Sequence, residues 1–198
     1  MDEKLIQAIP VKYNGVQFRS RQEAKWAAFF DLCGWTWDFE PMDLKGWIPD
    51  FILEGVDCDI FVEVKSYKKL EDFDEAILKI KRSGIKERIL LLGEKPFGAF
   101  YSWDAYSIGW YKEYGNSYDS SVDFSEVGFG VEDKKHRKYK YLYDIFWWPG
   151  DGDGNDRTIL NNGIYNYSNN EFNYSNPIPL WKEAKNMVQW FPKKVIST

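Results

Sequence analysis

The chain has 198 residues, of which 44% are hydrophobic and 29% charged, a composition typical of one soluble globular domain with ample apolar area for a core. This composition excludes global disorder, and the net charge of −5 excludes a protein that coats nucleic acid through bulk positive charge. Two cysteines and a single histidine exclude an iron–sulfur cluster with four cysteine ligands and a disulfide framework.

The sequence also predicts where the protein works. Residues 1–4 contain no basic region followed by a long apolar run, and no segment reaches the roughly 18 consecutive apolar residues of a membrane span. We therefore expect a cytoplasmic protein with no membrane partner.

The first predicted element is a helix over residues 21–33. Ser20 and Glu23 have the S-x-x-E spacing of a capping box, in which each side chain accepts a hydrogen bond from the other residue's backbone N–H. Apolar residues recur at helical spacing after them, and Gly34 suits the left-handed conformation that ends many helices.

Three strands are predicted next, over residues 35–40, 47–53 and 59–65. The first run alternates strictly between apolar and polar side chains, which is typical of a half-buried strand. Residues 54–57 between the second and third runs have the composition of a turn, and this connection is short enough for a hairpin.

A second helix and a buried strand follow. Apolar residues return to helical spacing over residues 70–83, and Gly84 ends the pattern. Residues 89–92 read Ile-Leu-Leu-Leu without a polar interruption, as expected for a strand covered on both faces. The order helix, three strands, helix, strand predicts an α/β or α+β fold in which helices flank a mixed sheet.

The sequence changes character after Pro96. Aromatic residues make up 19% of the chain and many of them cluster here between Gly, Asn and Asp, while residues 161–176 are rich in Asn, Tyr and Ser. We expect irregular strands and long loops, then an amphipathic helix over about residues 180–191 that docks on the rest. The predicted organisation is a core of residues 1–95 and an aromatic-rich extension of residues 96–198.

The third predicted strand presents a carboxylate and an amine side by side. Because side chains alternate along a strand, Glu63 and Lys65 share one face while Ile60, Val62 and Val64 face the core. A hairpin with its tip near residues 56–57 places Asp50 opposite Glu63, with Cβ atoms about 4.5–5.5 Å apart. Two carboxylates and one amine are thus predicted to meet at one place.

This grouping predicts a chemistry. Asp50 and Glu63 offer hard oxygen ligands, which suit Mg²⁺, or Mn²⁺ as its substitute, better than zinc. A cation there polarises a phosphoryl oxygen and lowers the pKa of a bound water, while Lys65 orients that water or neutralises charge in the transition state. Glu23 is a further candidate for binding the metal or positioning water, in competition with its capping role. Phosphodiester hydrolysis is the reaction class that follows.

Three segments carry a known set of motifs in the expected order. Residues 18–27 read FRSRQEAKWA, residues 49–51 read Pro-Asp-Phe, and residues 63–65 read Glu-Val-Lys. Together they resemble the acidic-helix, PD and ExK elements of the PD-(D/E)XK nuclease superfamily, in its restriction-endonuclease-like and Holliday-junction-resolvase-like branch. The resemblance extends over about residues 13–95 and includes the order of elements.

The resemblance implies a restriction-endonuclease-like core and a metal-dependent DNA endonuclease that leaves 5′-phosphate and 3′-hydroxyl ends. It implies that Mg²⁺ is held by Asp50, Glu63 and the backbone carbonyl of Val64. It gives Lys65 a catalytic role and Glu23 an accessory acidic role. It also implies DNA as partner, a homodimer as a plausible assembly for cutting two strands, and a phage or genome-defence setting.

Basic residues near the motifs are candidates for contact with DNA phosphates: Arg19, Arg21, Lys68 and Lys69. The basic run 134–140 is flanked by tyrosines at 139, 141 and 143, which either stack on unpaired bases or form one face of an amphipathic strand. Glu40 lies on the polar face of its predicted strand, so we expect it to be solvated.

Two other classes of function stay open from the sequence. One is a non-catalytic module that binds DNA or protein on a nuclease-like scaffold, suggested by the high aromatic content and the lack of a dominant basic patch. The other is a carbohydrate-binding module built from exposed Trp and Tyr side chains. The presence of all four polar positions favours the nuclease: Glu23, Asp50, Glu63 and Lys65.

Overall fold

The computed structural model describes residues 10–100, 105–113, 124–132, 140–147, 156–161, 163–165 and 172–189. Within these ranges the helices are α1 (Arg21–Cys33), α2 (Asp74–Ser83), which follows a 3₁₀ turn (Leu70–Phe73), and α3 (Ile178–Met187). The strands are β1 (Val11–Tyr13), β2 (Val16–Phe18), β3 (Trp37–Phe39), β4 (Phe51–Leu53), β5 (Ile60–Val64), β6 (Arg88–Leu92), β7 (Phe97–Phe100), β8 (Ala105–Lys112), β9 (Ser125–Glu132), β10 (Tyr143–Trp147), β11 (Asp156–Thr158), β12 (Gly163–Tyr165) and β13 (Phe172–Tyr174).

Helix α1 begins and ends where the sequence predicts. The hydroxyl of Ser20 accepts the N–H of Glu23 at 3.2 Å, and the Glu23 carboxylate accepts the N–H of Ser20 at 3.2 Å, which completes the capping box. Gly34 ends the helix with φ +72°, a left-handed conformation that glycine adopts without a Cβ clash. The backbone at the start of α1 is therefore firmly fixed.

The other two helices differ slightly from prediction. The segment predicted as one helix over residues 70–83 is divided into the 3₁₀ turn and α2, and it ends at Gly84 as expected. Helix α3 begins at Ile178, two residues earlier than expected, and residues 190–191 of the predicted helix lie outside the described residues. None of the helices in the described ranges is long and apolar enough to cross a membrane.

Eleven strands form one mixed sheet whose main path runs β12-β11-β10-β9-β8-β6-β5-β4-β3. β3, β4 and β5 are antiparallel neighbours, β6 lies parallel to β5, and β8 lies antiparallel to β6. β7 pairs with β8 and β13 with β9, while β1 and β2 form a separate hairpin. The molecule is of the mixed α+β class, and the predicted order of helix, three strands, helix, strand is confirmed as α1, β3 to β5, α2 and β6.

Both faces of the central sheet are buried. On one face Ile60, Val62 and Val64 of β5 belong to the same hydrophobic cluster as the buried residues of α1 and α3, as the alternation of this strand predicts. On the other face the residues of α2 and its 3₁₀ turn pack around Phe61. Glu63 therefore lies on a strand face that is largely apolar. The burial of Glu63 on this face raises its pKa.

Helix α3 docks back on the rest of the domain, as predicted, and its contact is with α1. The Trp181 ring of α3 lies 4.5 Å from the Trp26 ring and 6.0 Å from the Phe29 ring of α1, measured between centroids. Trp26 also donates its indole N–H to the Gly93 carbonyl at 2.9 Å, which links the helix layer to the end of β6.

Irregular pairing after Pro96 is confirmed where the register between β8 and β9 shifts between Ser107 and Gly109, although each of these strands is eight residues long. Glycines in this half of the chain suggested loops, but Gly109 and Gly130 lie inside these two strands. A Cβ at Gly109 would collide with the Leu91 carbonyl, and one at Gly130 would collide with the Phe146 ring. These glycines permit close packing rather than a turn.

Candidate active site

The β4–β5 hairpin has the predicted register. Phe51 pairs with Val62 and Ile52 with Phe61. Extending this register by one residue places Asp50 opposite Glu63, although Asp50 lies just before the strand rather than within it. The hairpin therefore brings two acidic residues that are 13 positions apart to the same end of the sheet.

Lys65 joins the two carboxylates. Its Nζ lies 2.5 Å from Glu63 Oε1 and 3.5 Å from Asp50 Oδ2, and it donates a hydrogen bond to the Val64 carbonyl at 3.0 Å. The side chains of Asp50 and Glu63 are 2% and 8% exposed, whereas that of Lys65 is 35% exposed. The predicted grouping is present, with its lysine open to solvent.

Two N–H groups orient the carboxylates. The backbone N–H of Val64 donates to Asp50 Oδ2 at 2.7 Å, and the indole N–H of Trp47 donates to Glu63 Oε2 at 2.8 Å. Trp47 is itself buried and held by a bridge with Leu44 in the β3–β4 connection. The sequence suggested only an apolar run at Trp47, so its contact with Glu63 was not foreseen.

Burial disfavours the charged forms of both Glu63 and Lys65, but its effect is outweighed only for Lys65. Burial raises the pKa of Glu63, the charge on Asp50 raises it further, and the contacts with Lys65 and Trp47 offset only part of this. Burial lowers the pKa of Lys65, but the carboxylates of Asp50 and Glu63 outweigh it, and the resulting pKa is raised. Lys65 is therefore a cation at neutral pH, which suits charge neutralisation better than proton abstraction.

Arg19 connects Asp50 to a further carboxylate, Glu40. Its Nη2 donates to Asp50 Oδ1 at 2.9 Å, and its Nε forms an ion pair with Glu40 Oε1. The expectation that Glu40 is solvated was wrong, because its side chain is 30% exposed and the paired oxygen is closed to solvent. Strand β3 ends at Phe39, so strand alternation no longer governs the direction of the Glu40 side chain.

Glu23 is committed to the capping box. Its Oε2 accepts the backbone N–H groups of Arg19 and Ser20 at 3.0 and 3.2 Å, and its Oε1 accepts the Ser20 hydroxyl at 2.8 Å. Burial raises the pKa of Glu23, the hydrogen bonds from Ser20 lower it, and the charge on Asp50 raises it. Glu23 therefore influences Asp50 through space while both of its oxygens serve the helix start.

The other residues predicted to contact DNA lie on the surface. Arg21, Lys68 and Lys69 are exposed, and the Lys68 ammonium lies 3.9 Å from the Glu94 carboxylate. Tyr141, one of the tyrosines beside the basic run, is buried and donates to the Glu54 carbonyl at 2.7 Å, so it is not available to stack on bases. Residues 133–139 of that segment lie outside the described residues.

The oxygen donors at the end of the β4–β5 hairpin are few. Within the described part of the chain, no group of three or more His, Cys, Asp or Glu side chains is arranged to hold a metal. Asp50, Glu63 and the Val64 carbonyl, however, surround the Lys65 ammonium with two carboxylates and one backbone oxygen. These three groups are the oxygen donors that a divalent cation at this place would use, since Mg²⁺ commonly binds one or two protein carboxylates and keeps several waters.

The charge balance also suits a divalent cation. Four carboxylates face two cations in this part of the molecule: Glu23, Glu40, Asp50 and Glu63 against Arg19 and Lys65. When all are ionised, the excess is two negative charges in a partly buried site. Burial raises the pKa of Glu63 and of Glu23, and the negative charge on Asp50 raises both further.

Comparisons of this chain with protein-family models, with curated proteins and with solved structures found no match. The function is therefore argued from the geometry of the cluster and from its motifs.

Proposed function

We propose that this chain is a magnesium-dependent DNA endonuclease with a restriction-endonuclease-like core, which hydrolyses phosphodiester bonds to leave 5′-phosphate and 3′-hydroxyl ends. One observation carries the proposal: Lys65 Nζ lies within 3.5 Å of both Asp50 and Glu63 at the end of the β4–β5 hairpin. The arrangement of α1, three antiparallel strands, α2 and a parallel fourth strand supports the proposed core.

The proposed cation site consists of Asp50, Glu63 and the Val64 carbonyl. Bound there, Mg²⁺ would polarise a phosphoryl oxygen and lower the pKa of a bound water. The chain prepares this site through the N–H groups of Val64 and Trp47, which hold the two carboxylates in fixed orientations. A preorganised pair of acids does not need to rearrange when the substrate arrives.

Lys65 is the proposed charge-neutralising group. Its raised pKa keeps it protonated at neutral pH, and its partial exposure lets a negatively charged phosphate oxygen approach this cation. The two carboxylates hold its Nζ near the place where charge would build up on the phosphate. The exposed basic residues near the cluster would contact the DNA backbone: Arg19, Arg21, Lys68 and Lys69.

The direct test is a cleavage assay with the full chain. Labelled linear duplex, nicked duplex, single-stranded and four-way-junction DNA are incubated with Mg²⁺, with Mn²⁺ or with EDTA. We expect cleavage of at least one substrate with Mg²⁺, none with EDTA, and products whose new 5′ ends carry phosphate. Intact DNA in every sample with Mg²⁺ and Mn²⁺ would show that the proposal is wrong.

A second candidate function is a non-catalytic module that binds DNA or protein. The contact of Lys65 with both carboxylates favours it, because the ammonium already pairs with the two acids that a divalent cation would need. Calorimetric titration with Mn²⁺ separates the two candidates. Mn²⁺ binding together with cleavage supports the nuclease, whereas DNA binding without Mn²⁺ binding supports the module.

A further inference from the structure

Arg19 is the exposed partner of a buried carboxylate. The Arg19 side chain is 57% exposed, whereas that of Asp50 is 2% exposed. Asp50 is also fixed by the N–H of Val64, which donates to its other oxygen at 2.7 Å. Water solvates the charge of an exposed guanidinium, so Arg19 can leave this contact at little cost, whereas Asp50 cannot move away.

Glu40 gives Arg19 a second, independent partner. Its backbone has φ +46°, which is uncommon for a residue other than glycine and persists only where the surroundings hold it. One such contact is the Glu40 N–H, which donates to the Asp50 carbonyl at 3.1 Å. The turn after β3 therefore places Glu40 where its carboxylate pairs with Arg19 Nε, which gives Arg19 a partner other than Asp50.

We propose that Arg19 is a displaceable counter-ion: it neutralises Asp50 Oδ1 until a divalent cation binds Asp50, and it then remains paired with Glu40. This inference rests on the proposed function, because it requires Asp50 to take up a cation. Arg19 and the cation compete for one carboxylate, so Arg19 lowers the cation affinity of the chain. Glu40 raises that affinity, because it draws Arg19 away from Asp50.

The test measures cation affinity without DNA, so that it does not depend on cleavage. Mn²⁺ alone is titrated calorimetrically into the full chain and into its variants at pH 7. We expect Arg19→Gln to tighten Mn²⁺ binding about fivefold, the value of one ion pair with an exposed partner. We expect Glu40→Gln to weaken it about threefold, because Arg19 then pairs with Asp50 alone.

The double variant distinguishes this mechanism from a general effect of charge. Because Glu40 acts through Arg19, Glu40→Gln is expected to have no further effect in the Arg19→Gln background. Arg82→Gln is the matched control, since it removes the same charge from an exposed position on α2, and we expect it to leave Mn²⁺ affinity unchanged. Circular dichroism of each variant confirms folding.

The possible outcomes separate this inference from the proposed function. Wild-type protein that binds no Mn²⁺ overturns the proposed function, and the inference with it. Wild-type protein that binds Mn²⁺ leaves the function standing, and the inference then fails if Arg19→Gln does not tighten binding, if Arg82→Gln tightens it equally, or if the Glu40→Gln effect persists in the double variant. Should Arg19→Gln not fold, unchanged Mn²⁺ affinity in Glu40→Gln overturns the inference.

Discussion

Glu63→Gln is expected to reduce the rate of Mg²⁺-dependent DNA cleavage by at least about 10³-fold. Glutamine keeps the size of the side chain, and its carbonyl can accept the Trp47 N–H, but its NH₂ group would face the Lys65 ammonium. The variant also lacks one of the two charges that hold the cation. The rate is measured in single-turnover reactions with excess protein, and Mn²⁺ affinity is measured by calorimetry in parallel.

Two further variants show why the loss occurs. Lys65→Met keeps the apolar stem of the side chain and should lose cleavage to a similar extent while still binding Mn²⁺, because both carboxylates remain. Glu23→Gln keeps the acceptor that the capping box needs, and we expect a loss of less than about tenfold, because Glu23 acts on Asp50 only through space. A loss in Glu23→Gln equal to that in Glu63→Gln would instead make Glu23 a ligand.

The control for these variants is Glu75→Gln, on the exposed side of α2. It makes the same chemical change away from the cluster, and we expect wild-type cleavage. If Glu63→Gln retains cleavage within about tenfold of the wild type, the carboxylate is not essential and the proposed site is incorrect.

The hairpin that forms the cluster could be predicted because its signals are local. A short turn and strand alternation fix the register, so a one-residue shift would turn the apolar face of β5 away from the core. The same applies to α1, whose caps at Ser20 and Gly34 are encoded within a few residues of its ends. Local patterns of this kind predicted which elements form and where Asp50, Glu63 and Lys65 lie relative to one another.

Other features of the site could not be predicted because they depend on contacts between distant segments. Trp47 reaches Glu63 through the irregular β3–β4 connection, and Glu40 reaches Arg19 from a turn with positive φ. Both residues lie in predicted strands but outside the strands that form, so strand alternation does not set the direction of their side chains. In the aromatic-rich extension, Gly109 and Gly130 are of a residue type that is common in loops. They allow close packing inside strands instead, which only the tertiary structure reveals.

The contacts of a buried acid in β10, Asp144, could not be predicted from the sequence for the same reason. Asp144 is fully buried; its Oδ1 accepts the N–H of Leu160 and its Oδ2 the N–H of Asn161, both at 2.8 Å. Asn161 in turn accepts the N–H of Tyr141 at 2.9 Å and donates to the Tyr141 carbonyl at 3.0 Å. One carboxylate thereby holds the turn after β11 against the segment that leads into β10.

Asp144→Ala is expected to lower the free energy of unfolding by about 3 kcal/mol, because the N–H groups of Leu160 and Asn161 would be buried without this acceptor. Asp38→Ala is the matched control. Asp38 accepts the N–H of the following residue at 2.9 Å, and Asp144 accepts the same kind of hydrogen bond at 2.7 Å. Because Asp38 is exposed, we expect its variant to change the free energy of unfolding by no more than about 0.5 kcal/mol. Urea denaturation at pH 7 measures both values, and equal losses would contradict the role given to Asp144.

The pH dependence of stability tests the charge state of Asp144. Burial raises its pKa from the ordinary 3.8 to about 6, although hydrogen bonds from the N–H groups of Leu160, Ile145 and Asn161 lower it. The folded chain therefore binds this proton more tightly than the unfolded chain does. The contribution of the protonated Asp144 to the free energy of unfolding is complete below about pH 4 and is lost as the pH rises through about 6. Asp144→Asn does not titrate, and the stability of the wild type relative to this variant should fall by roughly 2–3 kcal/mol between pH 4 and pH 7. A constant difference would mean that the three N–H donors outweigh burial and keep Asp144 ionised throughout.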